Sequence, residues 1–457
     1  MKKLISILIS VLTLISLCVL PANANYNDSL ENELYSDCAI LICTDNSEII
    51  FEKNINKQTS PASLTKIITA TVVLNSITDL NQQVTIPESC IRELDGTGSS
   101  MSGLKVGETV TVYDLLCCLL IPSANDAATT LANLVTGDDR QAFIDKMNAL
   151  AEELGCTNSH FTNCHGLDDE EHYTTAADMV KFLENAMKNS TFAEIVSMTS
   201  YKIPETNMSK ERTINTTNYT LLKGYKDYYC PYSNGGKTGS TSVAGHCLCS
   251  SASNDGYNYI AVCLNAPMQN IDDDSAEENC AFIDTKAMYD WAFDNLRLVS
   301  IAENTRIVGE VPVKYGKGAD FVTLSPENTS FGLMPKGIDS GSLMIQIDED
   351  TLPDKITAPI KKGEIICKGE VLYADRVIAT VDLVANSDIK RGFFATIGGF
   401  AADLFSSAAV KIIATAILLV FAFLLISVLK SKNRKSKKKN GKGKGKVLKY
   451  DNYPKKK

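Results

Sequence analysis

A helix is predicted to begin at the stretch Pro61-Ala62-Ser63-Leu64-Thr65-Lys66, because apolar residues follow it at a spacing near 3.6. This places Ser63 at a helix N-terminus, where its backbone amide is available to stabilise an oxyanion. Positions i and i+3 of a helix share a face, so Lys66 points back toward the Ser63 hydroxyl. Lysine acts as a base near neutral pH when burial or a neighbouring cation lowers its pKa. The stretch therefore predicts a serine nucleophile with a lysine base.

A second segment, Ser123-Ala124-Asn125, follows Pro122, which is expected to break the helical stretch from Asp114 to Leu134. The segment is therefore predicted to lie on a connecting loop. There Asn125 would hold a substrate amide, and the Ser123 hydroxyl would relay a proton to a leaving nitrogen.

A third segment, Lys237-Thr238-Gly239, is predicted to lie on a strand after a tyrosine-rich loop. Lys237 would lower the pKa of Lys66, and together with Thr238 it would receive a substrate carboxylate. The amide of Ser240, after Gly239, would be a second oxyanion donor. Each segment alone is better explained as a cap, a solvated lysine or a turn. All three, in this order, favour serine acyl transfer without histidine.

An α/β unit is predicted around these segments, over residues 26–298. A hairpin covers Cys38 to Glu52 and turns at Asp45-Asn46, where a residue with positive φ is expected. The remaining periodic segments are helices at Phe143–Leu154 and Thr174–Met187, strands at Lys237–Thr241, Gly245–Ser251 and Tyr257–Leu264, and a closing helix at Ala281–Leu296. Short alternating runs then predict a separate small β domain at 303–390.

Both ends of the chain carry membrane-related patterns. Residues 1–24 combine a basic start, an apolar run and a small-residue site, as in a cleaved secretory signal peptide. Residues 412–429 are apolar, and at about 1.5 Å per residue they cover roughly 27 Å, close to a membrane's hydrocarbon thickness. An amphipathic juxtamembrane helix is predicted before this span, at 393–411, and a basic tail at 430–457 follows it. The positive-inside rule makes the tail cytoplasmic and the catalytic domain extracytoplasmic.

Charge and cysteine content narrow the set of partners. Residues 25–429 contain 29 basic and 53 acidic residues, a formal charge of −24 that argues against nucleic acid. The basic tail and the span favour contact with membrane lipid. At least one of the thirteen cysteines left after signal cleavage is unpaired, and Cys117-Cys118 are expected as buried thiols. Neither a cofactor nor a metal is predicted, because regular ligand spacing is lacking in His160, Cys164, His165 and His172.

The chain resembles the low-molecular-mass penicillin-binding proteins, the serine-type D-alanyl-D-alanine carboxypeptidases. Besides the three segments, the resemblance includes Gly107-Glu108-Thr109-Val110-Thr111-Val112-Tyr113-Asp114-Leu115-Leu116, Asn163-Cys164-His165-Gly166-Leu167 and Thr174-Thr175-Ala176-Ala177-Asp178-Met179. It extends from Cys38 to Leu296, and the β domain resembles that family's C-terminal domain through Ala358-Pro359-Ile360-Lys361-Lys362-Gly363-Glu364.

The resemblance implies a transpeptidase fold shared with β-lactamases, in which helices flank an antiparallel sheet. It also implies that the substrate is the D-Ala-D-Ala end of a peptidoglycan stem peptide. The last D-alanine would be removed through an acyl-Ser63 intermediate, and β-lactams such as penicillin would acylate the same serine. Substrate binding falls to Asn125, Lys237, Thr238, Gly239 and Ser240 by the same resemblance.

This sequence departs from the family pattern in two places. Many relatives carry an arginine for the substrate carboxylate near the start of the closing helix, whereas Gln269 to Asp284 contains no Arg or Lys. More of the carboxylate recognition is therefore expected from Lys237, Thr238 and Ser240. Relatives often end at an amphipathic helix, and the span at 412–429 adds a permanent anchor.

Two other functions use the same three segments. A serine β-lactamase adds a glutamate that activates the deacylating water, usually on a loop ahead of the Lys-Thr-Gly strand, and no persuasive Glu-x-x-x-Asn segment lies between Asn125 and Lys237. A membrane-anchored penicillin sensor would signal through its tail, but residues 430–457 are short, basic and without a folded pattern. The sequence therefore favours the carboxypeptidase.

Overall fold

Residues 34–268, 278–393, 397 and 408–440 are described by the computed structural model of the chain. The chain divides into two compact units. The first comprises Met1–Glu303, Asn328–Gln346 and Glu370–Val381, and the second comprises Asn304–Glu327, Ile347–Gly369 and Asp382–Lys457. The predicted signal peptide (1–24) lies outside the described residues, as do most of the predicted amphipathic helix (393–411) and the end of the basic tail (441–457).

The elements are numbered here in chain order. The helices are α1 (Thr65–Ser76), α2 (Glu88–Arg92), α3 (Val112–Leu120), α4 (Asn125–Thr136), α5 (Arg140–Glu153), α6 (Ala176–Met187), α7 (Ser190–Ser197), α8 (Cys280–Asn295) and α9 (Ala408–Asn440). The strands are β1 (Cys38–Cys43), β2 (Glu48–Lys53), β3 (Gln83–Thr85), β4 (Thr109–Thr111), β5 (Ser200–Ile203), β6 (Arg212–Asn215), β7 (Ser233–Thr241), β8 (Gly245–Asn254), β9 (Tyr257–Ala266), β10 (Leu296–Ala302), β11 (Gly309–Lys314), β12 (Phe321–Pro326), β13 (Ser330–Pro335), β14 (Met344–Ile347), β15 (Ile356–Thr357), β16 (Ile365–Tyr373) and β17 (Arg376–Ala385).

The first unit is built on a five-stranded antiparallel sheet with the order β2-β1-β9-β8-β7. Successive side chains of a strand point to opposite faces, and the interior strand β1 is buried on both. Cys38 and Ile40 pack with α1, α3 and α4, whereas Ala39 and Leu41 pack with α8. Helices therefore cover both faces of the sheet, and β7 is an edge strand. The pairing confirms the predicted antiparallel arrangement of the sheet's last three strands, β7, β8 and β9.

The hairpin β1–β2 confirms the predicted pairing, but its turn differs from the prediction in detail. The residue with positive φ is Ser47 (59°), not a member of the pair Asp45-Asn46. The Asp45 carboxylate instead accepts hydrogen bonds from the Asn258 backbone amide (2.8 Å) and side-chain amide (2.7 Å). Contacts from a distant strand therefore fix the first turn residues and shift the left-handed position further along the chain.

The two units alternate along the chain after Glu303, while the predicted domain limits stay a prediction. In the first unit, β10 pairs with β13, aligning Leu298 with Leu333, and the Leu333 amide donates to Glu48 Oε2 (3.2 Å). In the second unit, β12 pairs antiparallel with β11 and with the end of β17, and β11 pairs parallel with β15. Part of the segment predicted as the β domain (303–390) thus packs with the first unit.

Helix α9 contains the predicted span. Among the described residues it is the one helix with a stretch long and apolar enough to cross a membrane, Lys411–Lys430. None of that stretch is buried against protein. A helix of this composition with exposed apolar side chains suits a hydrocarbon environment.

A buried carboxylate joins the start of the first unit to its last helix. Asp284 on α8 accepts hydrogen bonds from the backbone amides of Tyr35 (3.1 Å) and Ser36 (2.7 Å) and from the Ser36 hydroxyl (2.5 Å). Burial raises the pKa of this carboxyl. The contact fixes the chain just before β1, next to the helix that covers that face of the sheet.

Asp284→Ala is expected to destabilise the protein by about 2–4 kcal/mol, because the two buried donors of Ser36 and the part-buried Tyr35 amide lose their acceptor. Asp294→Ala, at an exposed position on the same helix, is the matched control. Chemical denaturation of the full-length protein in detergent measures the difference. Equal midpoints for the two variants would contradict the anchoring role of Asp284.

Candidate active site

Ser63 lies on a 3₁₀ turn, Ala62–Leu64, directly before α1 begins at Thr65. The preceding residue, Ala62, takes a φ of 47°, in the left-handed region that L-residues adopt at a cost. Gly166 packs against this turn, since a Cβ atom added there would lie 1.8 Å from the Ala62 carbonyl oxygen. The α-helix thus begins at Thr65, later than the predicted start near Pro61, and Ser63 lies on the 3₁₀ turn before it.

Lys66 and Ser63 are in hydrogen-bond contact, as the i, i+3 spacing predicted. Lys66 Nζ donates to Ser63 Oγ (2.7 Å) and to the backbone carbonyl of His165 (2.7 Å). The Lys66 side chain is completely buried, and this burial lowers its pKa to about 7. The amine is thus able to exist in its neutral, proton-accepting form near neutral pH.

Lys237 is also completely buried, on the edge strand β7. Its Nζ donates to the backbone carbonyl of Thr238 (2.8 Å). Burial and repulsion from Lys66 lower the pKa of Lys237 well below its ordinary value. Burial is the main cause of the lowered pKa of Lys66, and the repulsion between the two amines lowers the pKa of Lys237 further, so the predicted effect of Lys237 on Lys66 stays a prediction.

Ser123 lies on the loop between α3 and α4, as predicted. Asn125 is the first residue of α4, so its predicted loop position is wrong by one residue. Ser123 has a φ of 65°, which lies in the left-handed region like that of Ala62. Within the part of the chain that the structure describes, neither side chain has a hydrogen-bond partner, although both residues are buried. Both groups are available to a ligand.

Gly239 brings β7 against the nucleophile. A Cβ atom added there would lie 3.1 Å from the Ser63 amide nitrogen and 3.0 Å from the Pro61 carbonyl oxygen. The absence of a side chain therefore lets the strand backbone approach Ser63. On either side of Gly239, the Thr238 hydroxyl bonds that of Thr217 (2.5 Å), and the Ser240 hydroxyl lies 3.2 Å from His246 Nδ1.

A cavity of about 920 Å³ opens over these groups. Its lining includes Ser63, Ser123, Asn125, Thr238, Gly239 and Ser240. The structure therefore brings together in one cleft the predicted residues from three distant segments, with Lys66 and Lys237 buried behind it. A smaller cavity of about 280 Å³ near Thr71 and Leu150 contains none of these residues.

Other lining residues were not predicted from the sequence. Thr217 bonds Thr238, and the Asp168 carboxylate accepts hydrogen bonds from the hydroxyls of Ser60 and Thr241 (both 2.8 Å). The tyrosine-rich loop lines one end of the cavity, with Tyr219 and Tyr225 stacked at 4.3 Å between ring centroids. The tyrosines of this loop are evident in the sequence, but residue spacing alone does not show that they line the site.

The family model described as D-alanyl-D-alanine carboxypeptidase matches residues 24–268. The chain belongs to this family of serine peptidases. A second model, the C-terminal domain of penicillin-binding protein 5, matches residues 297–391. These matches confirm the predicted enzyme class, serine-type D-Ala-D-Ala carboxypeptidase, and the predicted order of a catalytic domain and a small β domain.

Individual relatives of this carboxypeptidase match over most of its length. The D-alanyl-D-alanine carboxypeptidase DacF of Bacillus subtilis is 29% identical over 398 residues, 87% of this chain and 97% of that protein. The D-alanyl-D-alanine carboxypeptidase of Streptomyces sp. strain K15 is 35% identical over 47% of this chain and 75% of its own length. The crystal structure of penicillin binding protein 5 from Haemophilus influenzae, 25% identical, superposes with a TM-score of 0.63 over 79% of this chain and 98% of that one. The predicted fold is thereby confirmed.

The acylation rate of this carboxypeptidase is expected to rise with pH through about 7, because only neutral Lys66 accepts the Ser63 proton. The measurement is kcat/KM for a D-Ala-D-Ala peptide between about pH 5 and about pH 9, where the base titrates. Lys66→Arg stays protonated and should lower kcat/KM by about 100-fold or more.

Lys210→Arg, at an exposed position, is the control for the lysine-to-arginine change. Its rate and pH profile should match those of the unmodified protein. A pH profile that is flat around 7, or a Lys66→Arg variant with normal kcat/KM, would contradict the role of Lys66 as the base.

Proposed function

We propose that this carboxypeptidase removes the terminal D-alanine of a peptidoglycan stem peptide through an acyl-Ser63 intermediate. The observation that carries the proposal is the 2.7 Å contact between Lys66 Nζ and Ser63 Oγ, together with a lysine pKa of about 7. Neutral Lys66 takes the hydroxyl proton as Ser63 Oγ attacks the carbonyl carbon of the penultimate D-alanine. The amides of Ser63 and Ser240 are proposed to stabilise the resulting oxyanion.

Collapse of the tetrahedral intermediate expels the last D-alanine. Its amine needs a proton, and the unpartnered hydroxyl of Ser123 is proposed to relay one from protonated Lys66. A water molecule then attacks the ester, with Lys66 again as the base, and releases the shortened peptide. The buried, unpartnered amide of Asn125 is proposed to bind the peptide backbone on the acyl side.

The substrate carboxylate is proposed to bind at Lys237, Thr238 and Ser240. An anion near Lys237 raises the pKa of that buried amine and favours its charged form. A charged Lys237 in turn disfavours the protonated form of Lys66, since two positively charged amines repel each other. Substrate binding would therefore favour the neutral base at the moment when it is needed.

A β-lactam carries a strained amide and a carboxylate, so it is proposed to occupy the same cleft and acylate Ser63. Relatives named as penicillin-binding proteins support this. A β-lactamase would release the drug rapidly, and a sensor would hold it without peptide turnover. Measurement of both substrates distinguishes these alternatives from the carboxypeptidase.

The chain is further proposed to be a single-pass membrane protein with its catalytic domain outside the cytoplasm. The apolar stretch Lys411–Lys430 and the fourteen basic residues from Lys430 to Lys457 support this orientation. Membrane lipid would then be a permanent partner of the chain.

A fluorescent penicillin is expected to label the full-length protein in detergent, and Ser63→Ala should abolish labelling because the nucleophilic oxygen is lost. Ser76→Ala removes a hydroxyl that bonds within α1, at its far end, and should label normally. Labelling is read by in-gel fluorescence. Persistent labelling of Ser63→Ala would refute the assignment of the nucleophile.

D-Alanine release from a stem pentapeptide is expected from the unmodified protein and not from Ser63→Ala. The same samples are tested for penicillin hydrolysis, which should be slow because Glu211, in the one Glu-x-x-x-Asn match between Asn125 and Lys237, pairs with exposed Lys202 (3.2 Å) and does not line the cavity. Rapid penicillin turnover without D-alanine release would favour a β-lactamase. Stable labelling without either product would favour a sensor.

An impermeant amine-reactive reagent applied to intact cells is expected to modify exposed lysines of the body, such as Lys210, and to spare those from residue 430 onward. Permeabilised cells should show modification of both groups. Mass spectrometry of the recovered full-length chain reads the pattern. Tail modification in intact cells, with sparing of Lys210, would reverse the proposed orientation.

A further inference from the structure

His172 lies buried beneath the turn that carries Ser63, and only 1% of its surface is exposed. The backbone amide of Thr162 donates to His172 Nδ1 (3.0 Å), so Nδ1 is an acceptor. Burial lowers the pKa of the imidazole to about 4, which leaves the ring neutral at pH 7. A neutral ring with an acceptor at Nδ1 carries its hydrogen on Nε2. The tautomer of His172 is thus determined by Thr162.

The direction of two further hydrogen bonds follows from this tautomer. His172 Nε2 lies 2.8 Å from Thr65 Oγ1 and donates to it. The Thr65 hydroxyl then directs its own proton to the Ala62 carbonyl oxygen, at 2.8 Å. A chain of three donors therefore runs from the Thr162 amide to the Ala62 carbonyl.

The Ala62 carbonyl and the Ser63 amide belong to one peptide unit. That unit is planar, and in the trans form its C=O and N–H bonds point in opposite directions. A hydrogen bond that holds the carbonyl therefore also fixes the direction of the Ser63 N–H. Hydrogen-bonded peptide groups also polarise one another, so the bond at the carbonyl strengthens the N–H as a donor.

Gly166 encloses this chain of hydrogen bonds. A Cβ atom added at Gly166 would lie 1.8 Å from the Ala62 carbonyl oxygen and 2.9 Å from Thr65 Oγ1. The Gly166 backbone therefore packs closely against the Thr65–Ala62 bond. The strained φ of Ala62 (47°) makes such an external restraint necessary, because the residue alone prefers another conformation.

We propose that His172 and Thr65 are positioning residues that aim and polarise the Ser63 amide as an oxyanion donor. The inference rests on the proposed function, in which Ser63 is the nucleophile. Neither residue touches the substrate, and both act through the peptide bond between Ala62 and Ser63. The expected consequence of losing them is a weaker oxyanion site around an intact nucleophile and base.

The test uses full-length protein in detergent and benzylpenicillin with a ¹³C-labelled β-lactam carbonyl. Thr65→Val is nearly isosteric and removes the hydroxyl, and His172→Phe keeps an aromatic ring against Phe161 but removes both ring nitrogens. The infrared carbonyl frequency of the penicilloyl-Ser63 ester reports directly on hydrogen bonding in the oxyanion site. The acylation rate constant and the kcat and KM for a D-Ala-D-Ala peptide are measured in parallel.

Both variants are expected to shift the ester carbonyl to higher frequency and to lower kcat by about 10- to 100-fold, with KM little changed. Thr65→Ser and His172→Gln retain hydrogen-bonding groups and should restore much of the rate. The double variant Thr65→Val/His172→Phe should be no slower than Thr65→Val alone, because the two residues act in series. Thr71→Val removes another buried α1 hydroxyl, one that bonds the Ile67 carbonyl, and should leave frequency and rate unchanged.

An unchanged carbonyl frequency in Thr65→Val would overturn the proposal, as would an equal shift in Thr71→Val. If His172→Phe does not fold, Thr65→Val and Thr65→Ser decide the question by themselves. Failure of the nucleophile assignment gives a different result, since Ser63→Ala would then still form the penicilloyl adduct.

Discussion

The burial of one amine determines the arrangement of the catalytic unit. An ammonium group removed from water costs several kcal/mol unless it is paired, so a fully buried Lys66 loses its proton near neutral pH. Lys66 is buried because three segments surround it. It lies on α1 in the core, the loop of His165 to Leu167 contacts its amine, and β7 packs alongside. The hydrogen bond to Ser63 is therefore a product of the whole fold rather than of two neighbouring residues.

The core that encloses Lys66 is assembled from small and medium apolar side chains, including an unusual number of thiols. All thirteen cysteines from Cys38 to Cys367 are buried and unbridged. Burial raises the pKa of the Cys164 thiol to about 12. Eleven of them pack as small hydrophobic residues in the two cores on either face of the first unit's sheet, so this unit is stabilised by close packing rather than by disulfides among the described cysteines.

The sequence allowed the catalytic segments, the three last strands of the sheet and the apolar span to be predicted, because each has a local pattern. The i, i+3 spacing of Ser63 and Lys66 is one such pattern. Residues that matter only through contacts between distant segments were missed. His172 was considered as a metal ligand and found unsuitable, while its hydrogen bond to Thr65, 107 positions away, has no sequence signature. Likewise, Asp45 and Ser47 show that a partner strand can move a turn's left-handed residue.

The left-handed backbone of Ala62 has an evolutionary consequence. Holding an L-residue there costs about 1–2 kcal/mol, and glycine would remove that cost. The same substitution would give the peptide unit before Ser63 more conformations to explore. Selection for heat resistance and selection for turnover would therefore act on this position in opposite directions. A heat-stable relative would then have to gain its stability at other positions and keep the strained backbone at this turn.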